Sequence, residues 1–388
     1  MRILHTADWH IGKLVHGVHF TADQRYIFEQ LFQLIDQHQP DVVVVAGDIY
    51  DRSVPPIEAV ELLDEILSKI LLELKTKVLI IAGNHDSPDR LGFASKILQD
   101  KGLSIIGKLS DTIKPVKLAD QFGEVHFYAI PFTDYAVVRD LYQDKSITSH
   151  DLAMKAIVDK INAVKQPGIR TVCLAHGYIT GTEALETSES ERPLAIGGSE
   201  QVSVDYFKDF NYVALGHLHK AQKVKYEHIR YSGSLMKYSF SEAQHRKTVT
   251  MVDLDEAGKI EFNLIDLKPF RDLRIIKGNL DDLIDQKIYS LADTNDYIKA
   301  ELTDRGEVID AIGKLRAVYP NILKLEREQF SREAGDKRTS AGVNFFKKGA
   351  LELFEEFYQN IAQEQFSDQK RDIIAAVLDE IEIEERKS

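Results

Sequence analysis

A single cysteine among 388 residues, Cys173, excludes an intrachain disulfide and any thiolate-rich metal site, and points to a reducing, cytoplasmic setting. Long apolar runs are also missing: none approaches the ~20 residues that span a bilayer. The first residues, Met1-Arg2-Ile3-Leu4-His5, open a strand without the charged and apolar regions of a signal peptide. Basic charge is in short supply, with 49 Lys and Arg against 62 Asp and Glu, a net charge of -13. Indiscriminate binding to phosphate backbones is thereby disfavoured. A nucleic-acid substrate would need local basic patches, bound metal ions or a partner to supply the attraction. There is no internal repeat and no low-complexity tract. What remains, 44% hydrophobic and 29% charged, is the composition of a soluble globular protein. At this length two or three domains are expected.

The first 86 residues alternate apolar strands with helical periodicity. Ile3–Ala7, Val42–Ala46 and Val78–Ala82 read as buried strands, with helices over 21–38 and from Pro56 to about Leu74 between them. This is the β-α-β-α-β pattern of parallel crossover units. Short strands follow over 103–132, a polar helix over about 149–165, and then strands at Thr171–Ala175 and Tyr212–Gly216. The Ser/Glu-rich stretch Thr182–Arg192 reads as a mobile loop. Further strands cover 223–225, 229–231, 248–254 and 260–265. The texture shifts near Pro269, which sets a main domain at 1–270 and a small α+β unit of strands and helices at 271–330. Residues 331–342 form a linker by composition, and 343–388 hold two amphipathic helices. Phe346, Ala350, Phe354, Phe357 and Ile361 share a face of the first; Ile374, Val377, Leu378 and Ile381 share a face of the second.

Chemistry gathers where five strands end. They deliver Asp8 and His10, Asp48, Asn84 and His85, His176, and His217 and His219. The carboxyl end of a strand is where open α/β sheets place ligands. Each piece alone has a plain reading: Asp-x-His a turn, Asp48 a helix cap, His217-x-His219 a pair of surface histidines. Together, the three Asp/Asn oxygens and four His nitrogens beside His85 suffice for two metal ions. Two ions ~3.5–4 Å apart clamp the attacking and leaving oxygens of an in-line phosphoryl displacement. Asp48, central in the set, is the natural bridge. Nitrogen and oxygen donors without sulfur suit Mn²⁺, Fe²⁺ or Zn²⁺. His85 is best left unligated, to stabilise charge or protonate the leaving oxygen. Asp51 or Asp86 is expected to orient its ring.

Asp8-x-His10, Gly47-Asp48-x-x-Asp51, Gly83-Asn84-His85-Asp86, His176 and Gly216-His217-x-His219 resemble the motifs of the calcineurin-like metallophosphoesterase superfamily. Leu4–Gly12, Gly197-Gly198-Ser199-Glu200 and Tyr231–Phe240 extend the likeness to a nuclease branch of it, strongly over about 1–270 and in outline beyond. The resemblance implies an α/β fold, a two-sheet β-sandwich flanked by helices, with a dinuclear manganese centre. One ion would take Asp8, His10, Asp48 and His219. The other would take Asp48, Asn84, His176 and His217, with His85 as the transition-state residue. It further implies hydrolysis of double-stranded, hairpin and single-stranded DNA in repair and recombination, and a cytoplasmic, nucleoid-associated homodimer. Residues 271–330 would cap the DNA, and the last helices would dock on a coiled-coil ATPase partner.

The last 49 residues, 340–388, carry eleven Asp and Glu against six Lys and Arg, which makes them a poor DNA-binding tail. Their apolar stripes suit either the protein's own body or a partner coiled coil, and the linker before them favours the partner. Two rival functions stand beside the nuclease. A phosphomonoesterase or small-molecule phosphodiesterase would use the same site, but protein phosphatases of the superfamily continue the second motif as Asp-Arg-Gly, whereas Ser53 follows Arg52 here. A DNA-end scaffold with a vestigial site is the other; every ligand position is filled. Lys13, His16, Arg52, Arg90 and Lys220 are candidates for phosphate contact or plain surface charge. His5 and His126 read as core histidines, Cys173 as a small hydrophobe and Trp9 as a buttress between two ligands.

Overall fold

The computed structural model describes residues 1–191, 201–304 and 308–328, with scattered residues between 354 and 374. The chain divides into two compact units, Met1–Glu328 and Gln329–Ser388.

Two six-stranded sheets form the centre of the first unit. From edge to edge, one runs Ile260–Asp266, Thr248–Leu254, Arg2–Thr6, Val42–Ala46, Lys77–Ile81 and Leu103–Ile106. The other runs Gln222–Val224, Tyr226–Tyr231, Tyr212–Gly216, Arg170–His176, Gly123–Ile130 and Val116–Asp120. The four strands from Arg2 to Ile106 are mutually parallel, as are Tyr226–Tyr231, Tyr212–Gly216, Arg170–His176 and Gly123–Ile130.

Side-chain alternation sorts each strand between two cores. Val42, Val44, Leu79 and Ile81 face Phe127, Val172, Leu174 and Ala214 of the opposing sheet. Val43, Val45, Val78 and Ile80 face outward onto helices Thr21–His38 and Ile57–Ser68, through Ile27, Leu31, Leu62 and Ile66. Cys173, Ala175, Val213 and Leu215 face the helix His150–Val164 through Ala153, Ile157 and Ile161. The layers are therefore α/β/β/α. Strands buried on both faces need the continuous Val/Ile/Leu runs seen here. Burying each such side chain is worth roughly 1.5–3 kcal/mol, which offsets strained backbone in the loops above.

A third sheet, wholly parallel, joins Leu273–Gly278, Tyr297–Leu302 and Ile322–Arg327, with the helix Ala311–Val318. It has its own core of Ile298, Ala300, Leu302, Leu315 and Tyr319. Asp23, fully buried on the first helix, accepts hydrogen bonds from Arg271 at 3.0 and 2.6 Å and from the Tyr297 hydroxyl at 3.0 Å. Phe20 stacks on Tyr297 with ring centroids 4.8 Å apart.

His5 lies between the sheets, Nδ1 at 2.8 Å from the Tyr212 hydroxyl and Nε2 at 3.2 Å from the Leu215 carbonyl; burial lowers its pKa to about 3. His126 is buried against Glu124 at 2.9 Å. In the second unit, Phe354 and Tyr358 meet Phe366 with ring centroids 6.0 and 5.2 Å apart, and Arg371 pairs with Glu355. The expectations for Phe346, Ala350, Phe357, Ile361, Val377, Leu378, Ile381, the linker 331–342 and Gly197–Glu200 lie outside the described residues.

Candidate metal centre

The parallel strands of both sheets bring their carboxyl ends to one place, and the polar residues after them meet there. Asp8, His10, Asp48, His176, His217 and His219 are buried, while Asn84 and His85 are half-buried. The loops are strained to achieve this. Asp8, His10 and Asp48 adopt φ of 53°, 44° and 51°, and His217 adopts 111°. Such conformations cost of order 1–3 kcal/mol each and persist only where the surroundings over-determine them. Here the Asp8 and His10 amides donate to the carbonyls of Gly47 and Asp48, both at 3.0 Å.

Bonds between the sheets finish the assembly. His176 Nδ1–H donates to the Ala46 carbonyl at 2.8 Å, and the His217 amide donates to Asp8 Oδ1 at 2.9 Å. The approach is too close for side chains: a Cβ on Gly216 would stand 1.9 Å from the Ala46 oxygen, and one on Gly47 would stand 2.3 Å from His176 Nδ1; within the first sheet, one on Gly83 would stand 2.1 Å from Asp48 Oδ1.

Two donor groups result. Asp8, His10 and His219 offer atoms that lie within 4.8 Å of one another, and so do Asp48, His176 and His217. Asp48 Oδ2 stands between them, 3.7 Å from His10 Nε2 and 3.4 Å from His176 Nε2. Asn84 Oδ1 is 2.9 Å from His176 Nε2 and 3.3 Å from His217 Nδ1. His10 Nε2 is 3.1 Å from His219 Nε2. With Nδ1–H of His176 committed to a carbonyl, its Nε2 is left to face the Asn84 oxygen. Buried nitrogen and oxygen donors converging at this range fit a pair of divalent ions.

The protonation pattern agrees. Burial, strengthened by Asp48, raises the Asp8 carboxyl to about 7 against the pull of His176 and His219. Burial opposes the charge on Asp48 too, but His176 outweighs it and holds Asp48 well below the usual carboxylate range. In return Asp48 overcomes the desolvation of His176 and lifts it to about 9. Burial lowers His217 to about 3 and His10 well below its ordinary value. A buried set that holds protons this unevenly is one in which cations can replace them.

His85 stands at the rim with its ring against His10, centroids 4.7 Å apart. Its orientation differs from the expectation. Nδ1–H donates to the main-chain carbonyl of Asp51 at 2.7 Å, not to a carboxylate of Asp51 or Asp86. The Asp51 carboxylate instead pairs with Lys13 at 2.7 Å and lies 3.7 Å from His10 Nδ1. Asp86 is occupied otherwise: the amides of Ile49, Tyr50 and Gly83 donate to it at 3.1, 2.9 and 2.9 Å, tying two motif loops together. Those three orphan amides end a strand and begin a turn, so the carboxylate satisfies main chain that the sheet leaves unpaired. His10, Asp51 and His85 also form a third close group of donor atoms.

Sequence reasoning missed the supports around these residues. Gln24 accepts from the Gly12 amide at 3.0 Å and donates to the His10 carbonyl at 2.8 Å. The Tyr238 hydroxyl donates to the Trp9 carbonyl at 2.5 Å. Glu242 Oε1 is 3.1 Å from His219 Nδ1. The loop expected to be mobile is, up to Glu191, packed on His219: Glu191 accepts the His219 amide at 2.8 Å and Ser190 Oγ is 2.8 Å from its Nδ1. A polar residue on a buried helix face, as at Gln24, was the available signal. Trp9 is fully buried, edge-on to Phe28 at 4.9 Å, and buttresses the first loop.

Comparison with known proteins bears on the same residues. A family model described as calcineurin-like phosphoesterase matches residues 1–221, and one described as the type 5 capsule protein repressor C-terminal domain matches 269–361. The SbcD component of the nuclease SbcCD from Staphylococcus epidermidis is 34% identical over 378 residues, 97% of this chain and 98% of that protein. The chain belongs to the SbcD branch of the calcineurin-like phosphoesterases. Among solved structures, GAP50, the anchor in the inner membrane complex of Plasmodium, aligns with a TM-score of 0.38 at 13% identity, over 86% of this chain and 99% of that one. TT1561 of Thermus thermophilus aligns at 0.37 and 14%, over 68% and 98%. At such scores neither informs the chemistry. As a phosphoesterase of this branch, the protein uses a dinuclear metal site. Among the described residues, no helix is long and apolar enough to cross a membrane.

Proposed function

We propose that the protein is a Mn²⁺-dependent DNA nuclease, a 3'-5' exonuclease on duplex ends and an endonuclease on single strands and hairpins, working with an SbcC-type coiled-coil ATPase in DNA repair, recombination and replication. The observation that carries this reading is the convergence of buried donor atoms, His10 Nε2 with His219 Nε2 at 3.1 Å and Asn84 Oδ1 with His176 Nε2 at 2.9 Å, with Asp48 Oδ2 between the two groups. Asp8, His10, Asp48 and His219 would hold one ion; Asp48, Asn84, His176 and His217 the other. Bound there, the ions supply Lewis acidity and a nucleophile generated from water at neutral pH. The chain's own residues do the rest. The sheets hold the donors at fixed spacing, and the buried floor excludes bulk water. With Nδ1–H of His85 committed to the Asp51 carbonyl, this ring exchanges its proton at Nε2, towards the leaving oxygen.

Residues 271–330 are the cap over the DNA, and residues 343–388 are the ATPase-binding region. A homodimer is supported by exposed apolar side chains on the two helical stretches after the second and third motifs. Ile57 is 74% exposed, Phe93 80% and Ile97 76%.

The test is cleavage of end-labelled duplex and hairpin DNA with Mn²⁺, with and without the ATPase, beside p-nitrophenyl phosphate. DNA degradation that falls about 10²–10⁴-fold in His85→Ala, with metal retained, is expected. Hydrolysis of the small ester alone, with DNA untouched even beside the partner, would make the protein a phosphatase on this frame. Metal lost in His85→Ala would sink the role given to that ring.

A further inference from the structure

Behind His219 lies a buried charged group that the metal motifs do not include. Glu242 is fully buried and Lys247 is 6% exposed. Lys247 Nζ donates to Glu242 Oε2 at 2.5 Å, to the His219 carbonyl at 2.8 Å and to Ser234 Oγ at 2.8 Å, which satisfies all three of its hydrogens. Glu242 Oε1 lies 3.1 Å from His219 Nδ1 and accepts from the Ser190 hydroxyl, whose oxygen is itself 2.8 Å from that Nδ1, so the Nδ1–H is shared between serine and carboxylate. A buried ion pair of this kind is weak evidence for stability, because desolvation of two charges consumes most of the attraction. Its position against one imidazole suggests a different use.

We propose that Glu242 is a positioning residue for the metal centre, fixing the His219 tautomer so that Nε2 presents its lone pair to the ion shared with Asp8 and His10. Lys247 pairs with Glu242 and also holds the His219 carbonyl, so the carboxylate and the ring are tied to one anchor. A carboxylate on the far nitrogen of a ligating imidazole raises the basicity of the near one and stops the ring from rotating. His176 receives the same service from the Ala46 carbonyl, so both rings are locked in the orientation that sends Nε2 into the site. The assignment rests on the dinuclear reading above.

The test is Mn²⁺ titration of the full chain by calorimetry and electron paramagnetic resonance, for the native protein, Glu242→Gln and Glu242→Gln/Lys247→Met. The double variant removes both charges and so avoids stranding a buried lysine. Folding is checked by circular dichroism. The expected result is one Mn²⁺ site weakened about 10- to 100-fold in both variants, with loss of the spin-coupled signal and the second site unchanged. A folded variant that binds two Mn²⁺ with native affinity overturns the assignment. So does a double variant that cannot fold, since the carboxylate would then be structural. Native protein that binds no pair of Mn²⁺ overturns the dinuclear reading instead, which keeps the two failures apart.

Discussion

The two halves of the metal centre differ in how much they lean on side chains. In the half with Asn84, His176 and His217, the ring of His176 is fixed by main chain, the Ala46 carbonyl. In the half with Asp8, His10 and His219, main-chain bonds to the Asp8 and His10 amides are joined by side chains: Gln24 on the His10 carbonyl, Tyr238 on the Trp9 carbonyl, Glu191 and Lys247 on the His219 main chain, and Glu242 by its ring. Main-chain supports come with the sheets and vanish only when the fold does. Side-chain supports can be lost one substitution at a time. The first half is therefore as durable as the sandwich, and the second is where the site can be tuned.

The most severe way to break this comparison is to remove what the halves share. Asp48→Ala should empty both, with Mn²⁺ content by mass spectrometry falling towards zero and DNA cleavage falling by about a thousandfold or more. Retention of one ion would show that the halves do not depend on a common bridge. A smaller effect, confined to one half, is expected from Gln24→Ala. It strands the Gly12 amide and leaves the His10 carbonyl with the Lys13 amide alone, at a cost of about 1–3 kcal/mol in stability. Mn²⁺ affinity at the His10 half should weaken about tenfold, read by calorimetry and thermal unfolding. Equal weakening of both sites would erase the distinction.

The smallest effect on the centre should come from the far end of the sandwich. Asp120 is bound by Arg170 at 2.6 and 2.9 Å, and that pairing holds its carboxyl below the usual carboxylate range. A depressed carboxyl stabilises the fold above its unfolded value, about 3.9, and the contribution is lost as pH falls through the lower folded value. Asp120→Asn should cost roughly 3–5 kcal/mol near neutral pH. The gap to the native protein should begin to close as pH drops below about 4, where the unfolded carboxyl takes up its proton, and should vanish only once pH has passed the lower folded value. Mn²⁺ affinity should not move. A gap that widens in acid would reverse the sign assigned to this pair.

The residues offering metal ligands were legible because each follows an apolar run: five strands, five polar endings. The sandwich was legible for the same reason, since Val42–Val45 and Val78–Ile81 are apolar at consecutive positions and demand cover on both faces. The supports were not. Glu242 and Lys247 lie 23 and 28 residues beyond His219, in a turn and a strand edge without periodicity. Asp86 was visible as a polar residue in the right motif, yet its partners are amides, which look alike at every position of a sequence. The stretch up to Glu191 looked mobile because it is polar, and it is polar because Glu186, Ser190 and Glu191 hold Lys220, His245 and His219.

The contact of Gly216 with the Ala46 oxygen acts as a gauge block. The clearance between the sheets at this end is set by the smallest residue available, so any replacement is a shim that widens it. Nothing is left to trim in the other direction. A change of substrate must therefore be made by rebuilding the walls, while the floor keeps one spacing.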